Sequence, residues 1–243
     1  MKIKNSLRKI FNNFGYDVIR TKNRHDSFGA HLANVFDRYL IDCVIDVGAN
    51  SGQYGTFLRQ VGFNGWIISF EPVKSVFDQL IRISENDKKW ICYNLALGDI
   101  SEKKAINVYS STVFSSFLEA TAYSKAIWKS LETVVEEQVI VERLDDIFPE
   151  IELRTECKHC YLKLDTQGYD LNVFRGSSKS LERVDALQTE LSLIHVYKNM
   201  SSAYEALGEY NNYNYHISGM YPINRDDSLA VIEYDCILVK MNA

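Results

Sequence analysis

The stretch Asp46-Val-Gly-Ala-Asn-Ser-Gly52 completes an apolar run at 43–47 and leads into a helical pattern that carries Tyr54, Phe57 and Leu58. The glycines at its third and last positions permit a tight turn from a strand into a helix and let a ligand approach the backbone closely. The first turn of the following helix offers free amide donors to a carboxylate. The stretch therefore predicts the strand, turn and helix with which nucleotide-binding α/β folds begin.

From residue 41 onward, apolar runs of strand length alternate with amphipathic stretches. The runs that predict a mostly parallel central sheet lie at 43–47, 66–70, 90–95, 160–164 and 186–191. Two further strands are predicted in an insertion, at 105–109 and 135–141, and a closing antiparallel pair is predicted at 213–217 and 234–239. This alternation predicts an α/β, Rossmann-like fold with helices on both faces of the sheet and an antiparallel C-terminal strand.

The first 24 residues carry seven basic side chains against a lone Asp17, with apolar residues at helical spacing. We therefore predict a basic amphipathic leader helix over 1–30 and one domain over 31–243. Such a leader could lie peripherally on an anionic membrane or contact a partner, or it could cap the domain with its charges in solvent. No run is long enough to span a membrane and no signal peptide is recognisable, so we expect a cytoplasmic protein.

The net charge of -5 argues against nucleic acid as the bulk partner, because counterion release requires a basic face, and it favours a small or neutral substrate. Three of the five cysteines, Cys43, Cys92 and Cys236, lie in apolar strand-like runs, as buried thiols do. Cys157-Lys-His-Cys160 has the spacing of half a zinc knuckle, but the chain has no second such pair. We therefore expect a surface turn there and no metal.

The glycine spacing and two acidic residues indicate which class of ligand binds at the glycine turn. Its spacing is Gly-x-x-x-Gly rather than the Gly-x-Gly-x-x-Gly that seats a pyrophosphate, which disfavours an NAD-dependent oxidoreductase. Glu71 follows the second predicted strand, where an acidic side chain accepts hydrogen bonds from ribose hydroxyls. Asp46 adds a second carboxylate, and the pair favours a cofactor with a sulfonium and an ammonium group over a phosphorylated one.

At this point the sequence resembles the FkbM-type methyltransferases over 41–239. The resemblance rests on ordered motifs: Asp46-Val-Gly-Ala-Asn-Ser-Gly-Gln-Tyr54, Ser69-Phe-Glu-Pro72, Asn94-Leu-Ala-Leu-Gly-Asp99, Ser115-Ser116, Arg143-Leu-Asp-Asp146, Leu162-Lys-Leu-Asp-Thr-Gln-Gly-Tyr-Asp170, Phe174-Arg-Gly176, Gln188-Thr-Glu190 and Glu233-Tyr-Asp235. It implies a class I methyltransferase fold, S-adenosyl-L-methionine as methyl donor and a hydroxyl acceptor on a sugar or polyketide-type metabolite. Asp170 and Thr166 depart from the residues most common in that family.

The glycine turn, the ends of the second and third strands and the polar segment at 110–116 supply the residues that we expect to contact this cofactor. They are Asp46, Gly48, Ala49, Asn50, Ser51, Gly52, Gln53, Tyr54, Glu71, Pro72, Asn94, Ala96, Ser115 and Ser116.

The acceptor side is expected at the carboxyl ends of the fourth and fifth strands, where open α/β sheets bind ligands. We predict Asp165 as the base or the acceptor-orienting carboxylate, with Lys163, Glu190 and His195 in support. A purely structural pair of Lys163 and Asp165 remains an alternative, as does a divalent cation held by Asp165 and Glu190.

The sequence thus predicts an O-methyltransferase that acts on a saccharide or related metabolite, a function of the kind used in polysaccharide modification. A non-catalytic cofactor-binding scaffold is the alternative from another class.

Overall fold

The computed structural model describes residues 27–132 and 134–241. All of the predicted leader up to residue 26 lies outside these residues, so its helix and its contacts stay predictions. The first described helix, Phe28–Tyr39, starts at Ser27, whose hydroxyl accepts a hydrogen bond from the amide of Ala30 at 3.4 Å. This helix crosses the predicted boundary at residue 30. No helix within 27–132 and 134–241 is long and apolar enough to cross a membrane.

The described elements follow one another in an α/β pattern. The helices are α1 (Phe28–Tyr39), α2 (Gln53–Gln60), α3 (Lys74–Ser84), α4 (Ala122–Ile127), α5 (Leu144–Thr155), α6 (Asp170–Arg175) and α7 (Ala203–Asn212). The strands are β1 (Cys43–Val47), β2 (Trp66–Phe70), β3 (Trp90–Tyr93), β4 (Ala96–Leu97), β5 (Glu102–Tyr109), β6 (Val134–Glu142), β7 (Cys160–Leu164), β8 (Val184–Ser192), β9 (Tyr215–Arg225) and β10 (Val231–Lys240).

A seven-stranded sheet in the order β3-β2-β1-β7-β8-β10-β9 forms the centre of the domain. Strands β3, β2, β1, β7 and β8 are parallel, whereas β10 runs antiparallel to both of its neighbours. This arrangement confirms the predicted mostly parallel sheet with an antiparallel strand near the C-terminus. The two strands of the predicted insertion, β5 and β6, form a second sheet with the two-residue β4 in the order β4-β6-β5.

Helices cover both faces of the central sheet, as predicted. In β1, Cys43, Ile45 and Val47 belong to the core cluster that includes residues of α5, α6 and α7, whereas Val44 belongs to the cluster that includes residues of α1, α2 and α3. Alternate side chains therefore enter opposite cores, and all five residues of β1 are buried. A strand buried on both faces is mostly apolar along its whole length, which explains why β1, β2 and β7 were recognisable with the correct bounds.

The third strand ends earlier than predicted. Instead of continuing to residue 95, β3 stops at Tyr93, and Ala96–Leu97 pairs with β6 in the second sheet. The side-chain amide of Asn94 donates to the carbonyl oxygens of Glu71 and Pro72 at 2.9 and 3.0 Å. These bonds turn the chain out of the central sheet beside the end of β2.

Candidate active site

A cavity of about 330 Å³ lies at the carboxyl ends of β1, β2 and β7, where open parallel sheets bind ligands. Residues of 112–117 form its roof, and the roof is tied to the glycine turn because the side-chain amide of Asn50 donates to Thr112 Oγ1 at 3.2 Å. Trp128 packs against the roof residue Phe114, with 5.6 Å between the ring centroids. Tyr197 OH lies 2.9 Å from the Phe114 carbonyl oxygen.

The glycine turn is formed by residues with left-handed backbone. Gly48 has φ 76° and Gly52 has φ 88°, values that an L side chain rarely adopts. A Cβ at Gly48 would also lie 1.9 Å from the carbonyl oxygen of Asp165, so the loops after β1 and β7 approach each other too closely for any side chain there. Beneath the turn lies the ring of Trp90, 3.5 Å from the position of a Cβ at Gly52 and 2.1 Å from one at Gly55.

Glu71 is held by two backbone amides at the edge of the cavity. One of its carboxylate oxygens accepts from the amide of Asn50 at 3.0 Å and the other from the amide of Val73 at 2.8 Å. Burial raises the pKa of Glu71 to about 7, although the two amide bonds favour the ionised form. Because each oxygen has further lone pairs, the carboxylate can still accept hydrogen bonds from a ligand in the cavity.

A charge trio, in which Asp46 and Lys163 are buried and Asp165 is partly exposed, lies between β1 and the end of β7. The ammonium of Lys163 is 3.0 Å from Asp46 Oδ1 and 3.1 Å from Asp165 Oδ2, and it lies 5.0 Å from the ring centroid of Tyr54. Burial opposes its charge, but the two carboxylates raise the pKa of Lys163 above its ordinary value. Burial also raises the pKa of Asp46, opposed by the charge of Lys163. With all three groups ionised, the trio carries one net negative charge.

Gln167 joins the catalytic candidates on neighbouring strands. Its side-chain amide nitrogen donates to Asp165 Oδ1 at 3.0 Å and to Glu190 Oε2 at 2.9 Å, while its amide oxygen lies 2.9 Å from Tyr197 OH. Burial and the charges of Asp165 and Glu233 raise the pKa of Glu190 well above its ordinary value. The Gln167 amide thus lies between two carboxyl groups and donates a hydrogen bond to each of them.

Most of the residues predicted for the site meet in this cavity. The predicted residues among its lining are Gly48, Ala49, Asn50, Gln53, Tyr54, Glu71, Pro72, Ala96, Ser115, Ser116, Lys163 and Asp165. Asp46 lies fully buried beside Lys163, and Asn94 positions the end of β2. Ser51 and Gly52 belong to the turn without lining the cavity. Glu190 does not line the cavity either, but it accepts a hydrogen bond from the lining residue Gln167.

His195 takes a different place from the other candidates. His195 is exposed and does not line the cavity. Its backbone carbonyl accepts a hydrogen bond from Thr121 Oγ1 at 3.1 Å. The structure thus gives the His195 side chain no contact with the charge trio or the glycine turn.

Several lining residues were missed by the sequence analysis. They are Val47, Phe70, Leu97, Ile106, Thr112, Val113, Phe117, Thr166 and Gln167. Thr166 and Gln167 directly follow Asp165 in a motif that the sequence analysis quoted, and this position could have indicated that they line the site. Ile106 and Phe117 belong to the insertion, and an apolar side chain in a short strand or loop does not reveal that it faces a ligand.

The lining fits S-adenosylmethionine. Glu71 can accept from ribose hydroxyls, and the net negative trio complements a cationic ligand. Apolar side chains of Phe70, Leu97 and Ile106 form a wall that suits a flat heteroaromatic ring.

Comparisons with known proteins give one family. The model of the methyltransferase FkbM domain matches residues 46–217, which is more than half of the chain. The comparison with curated proteins gives no match.

Similar solved structures share little sequence with the chain. A putative S-adenosylmethionine-dependent methyltransferase from Listeria monocytogenes has 8% identity and a TM-score of 0.49, over 87% of this chain and 98% of that one. An rRNA methylase from Streptococcus thermophilus has 11% identity and a TM-score of 0.44, over 89% and 98%. A fibrillarin/Nop5p complex has 10% identity and a TM-score of 0.42, over 90% and 83%.

One prediction needs correction. We expected the acidic net charge to exclude nucleic acid as a partner, and that exclusion is wrong; an rRNA methylase and a complex with a second protein are among the similar structures. Counterion release describes binding driven by bulk charge, whereas a local surface can bind a polyanion on a chain of net negative charge. The similar solved structures also show no saccharide acceptor.

The family match, unlike the net charge, decides between the classes of function considered above. It favours methyl transfer over both the oxidoreductase and the non-catalytic scaffold. The chain belongs to the FkbM family of S-adenosylmethionine-dependent methyltransferases.

Proposed function

We propose that the chain is an O-methyltransferase that transfers the methyl group to a hydroxyl oxygen of a hydroxylated acceptor such as a saccharide. One observation carries the proposal: the carboxylate of Asp165 faces the cavity while Lys163 and Gln167 hold it in place. A hydroxyl is a weak nucleophile near neutral pH, so a fixed carboxylate that accepts its proton or orients it assists the transfer.

The neighbours of Asp165 suit this role. Lys163 contacts one carboxylate oxygen and Gln167 contacts the other, so the side chain has a defined orientation. Its exposure of 34%, compared with 6% for Lys163, leaves it accessible to an acceptor.

The bound donor supplies an activated methyl group with a good leaving group. The chain's residues then mainly hold the acceptor oxygen in line and exclude water, and the roof at 112–117 and the apolar wall provide that enclosure. A structural pair of Lys163 and Asp165 is the competing interpretation. It predicts that loss of the Asp165 charge affects stability rather than turnover.

Asp165→Asn tests this assignment. We expect turnover to fall by about 100-fold or more, while the dissociation constant for S-adenosylhomocysteine changes by less than about three-fold. Turnover is followed as methyl transfer from isotope-labelled donor to a pool of oligosaccharides, with total RNA as a second arm. Asp78→Asn, at an exposed position of α3, is the matched control. Unchanged turnover in a folded Asp165→Asn protein would refute the role.

The methylated atom is identified with a donor that carries ¹³C in its methyl group. The carbon resonance of the product distinguishes a methyl ether from a methyl group on nitrogen or sulfur. A product labelled on nitrogen, or labelling confined to the base nitrogens of RNA, would contradict O-methylation and leave the family assignment unaffected.

A further inference from the structure

Three cysteine thiols lie together at the opposite end of the sheet from the cavity. The sulfur atoms of Cys43, Cys157 and Cys160 are all within 4.8 Å of one another, and the three residues are 0%, 4% and 0% exposed. The sequence analysis expected a surface turn at 157–160, but both thiols of that motif are buried. Their third member was not recognisable from spacing, because it is the first residue of β1, in register with Cys160 on β7.

The backbone around the three thiols is fixed independently of them. The carboxylate of Asp42 accepts from the amides of Lys158 and His159 at 3.0 and 3.1 Å, and the amide of Asp42 donates to the His159 carbonyl at 3.0 Å. Glu156 ends α5 in the left-handed conformation, at φ 53°. These contacts hold the 157–160 turn against the start of β1, so the thiols are brought together by the fold.

The sulfur separation matches metal coordination rather than a disulfide. Cys157 Sγ and Cys160 Sγ are 3.7 Å apart. Zinc–sulfur bonds of about 2.3 Å in tetrahedral geometry place two sulfur atoms about 3.8 Å apart. A disulfide bond would require about 2.05 Å.

We propose that Cys43, Cys157 and Cys160 bind one thiophilic metal ion of the zinc or copper(I) class. Three sulfur ligands select these ions over magnesium or calcium, which prefer oxygen. Binding forms three metal–sulfur bonds, and the protons of the thiols pass to the solvent. The proposal does not depend on the acceptor or on O-methyl transfer.

The surroundings leave the remaining coordination position to solvent. No further cysteine, histidine or carboxylate joins the three thiols among residues 27–132 and 134–241. His159 is adjacent in sequence, but its Nδ1 is 2.8 Å from Asp185 Oδ2. A surface cavity lined by Cys157, Lys158 and His159 provides an entry path and space for a water ligand.

The position of the cluster assigns the ion a structural role. Cys43 and Cys160 begin their strands, whereas the charge trio lies near the strand ends, about 10 Å away at 3.3 Å per residue. An ion there would link β1, β7 and the segment after α5. We expect it to stabilise the domain without contacting the methyl donor.

The test uses the full chain, purified under anaerobic reducing conditions. We expect elemental analysis after dialysis against Zn²⁺ to give one ion per chain, Co²⁺ to give a sulfur-to-cobalt charge-transfer band, and Zn²⁺ to raise the thermal midpoint. A Cu(I) titration against a chromophoric chelator distinguishes the two ions. Cys157→Ser should weaken binding by about 100-fold or more. Cys236→Ser, a fully buried cysteine of β10 outside the cluster, should bind as the unaltered chain does.

The proposal would be overturned by no stoichiometric uptake by the reduced chain, by uptake that persists in folded Cys157→Ser, or by equal loss in Cys236→Ser. If Cys157→Ser does not fold, the Co²⁺ band and the Zn²⁺ titration of the unaltered chain decide the matter by themselves. A Cys157–Cys160 disulfide in non-reducing peptide mass spectrometry, without metal uptake after reduction, would also refute it. Donor binding, measured separately, tests the cofactor site and not the cluster.

Discussion

Glu71 shows how one buried side chain can combine structural and ligand-binding roles. Its two oxygens hold the amides of Asn50 and Val73, which fixes the glycine turn relative to the end of β2. Glu71 also lines the cavity. The residue was predictable from its position after the second strand. Its two amide contacts were not, because they depend on where the loops lie in three dimensions.

We expect Glu71→Ala to raise the dissociation constant for S-adenosylhomocysteine by about ten-fold or more, from loss of charge-assisted hydrogen bonds. Isothermal titration calorimetry measures the change. Glu85→Ala, at an exposed position just after α3, should bind as the unaltered chain does. An unchanged constant in folded Glu71→Ala would mean that the carboxylate does not contact the ligand.

At the scale of elements, the sequence was most informative where a strand is buried on both faces. The bounds of β1, β2 and β7 were predicted correctly, because four of the five residues in each strand are apolar. In the second sheet, β5 and β6 were predicted as strands of the insertion, whereas β4 was not predicted as a separate strand. β4 has two residues, which are too few to show a hydrophobic periodicity. The turn of the chain between β3 and β4 depends on the hydrogen bonds that the Asn94 side chain donates. Contacts of this kind have no periodicity in the sequence.

The loops after β1 and β7 lie in contact, and Gly48 makes this possible. In Gly48→Ala the new Cβ would clash with the Asp165 carbonyl oxygen, at 1.9 Å. The alanine would also have to adopt the left-handed backbone at φ 76°, which is strained for a residue with a side chain. We expect a loss of about 2 kcal/mol or more in unfolding free energy, together with weaker donor binding. Urea denaturation and calorimetric titration measure both.

Gly208→Ala is the matched control for this prediction. It lies in α7 with open space around the added carbon. It should be neutral or stabilising by about 0.5–1 kcal/mol, because alanine is the better helix former. Equal destabilisation by the two substitutions would show that the close approach at Gly48 is not the cause.

Considered as a whole, the molecule concentrates acidic groups around its active site. Burial raises the pKa of Glu71 from 4.5 to about 7, and burial with neighbouring charges raises that of Glu190 as well. The folded chain therefore binds these protons more tightly than the unfolded chain does. Their stabilising contribution is complete below the unfolded pKa and is lost as the pH rises through the folded pKa.

We expect the unfolding free energy without ligand to fall between about pH 5 and pH 8, by up to about 3 kcal/mol for Glu71 alone. Glu71→Gln, which cannot titrate, should show a shallower decline in urea denaturation, and Glu85→Gln should follow the unaltered chain. Carboxyl groups with lowered pKa, such as Asp145, act below this range. Equal slopes for the unaltered chain and Glu71→Gln would contradict the assignment.

Two of the three tryptophans contact segments of the chain that contribute residues to the cavity. Trp90 lies beneath the glycine turn, and its indole nitrogen donates to Ser69 Oγ at 3.0 Å, which in turn donates to Asp46 at 3.4 Å. Trp128 lies against the roof at Phe114. Indole fluorescence responds to nearby charge and polarity, so the chain contains its own optical reporters of ligand occupancy. Emission from the unlabelled protein can therefore be used to screen donors and acceptors before any product is known.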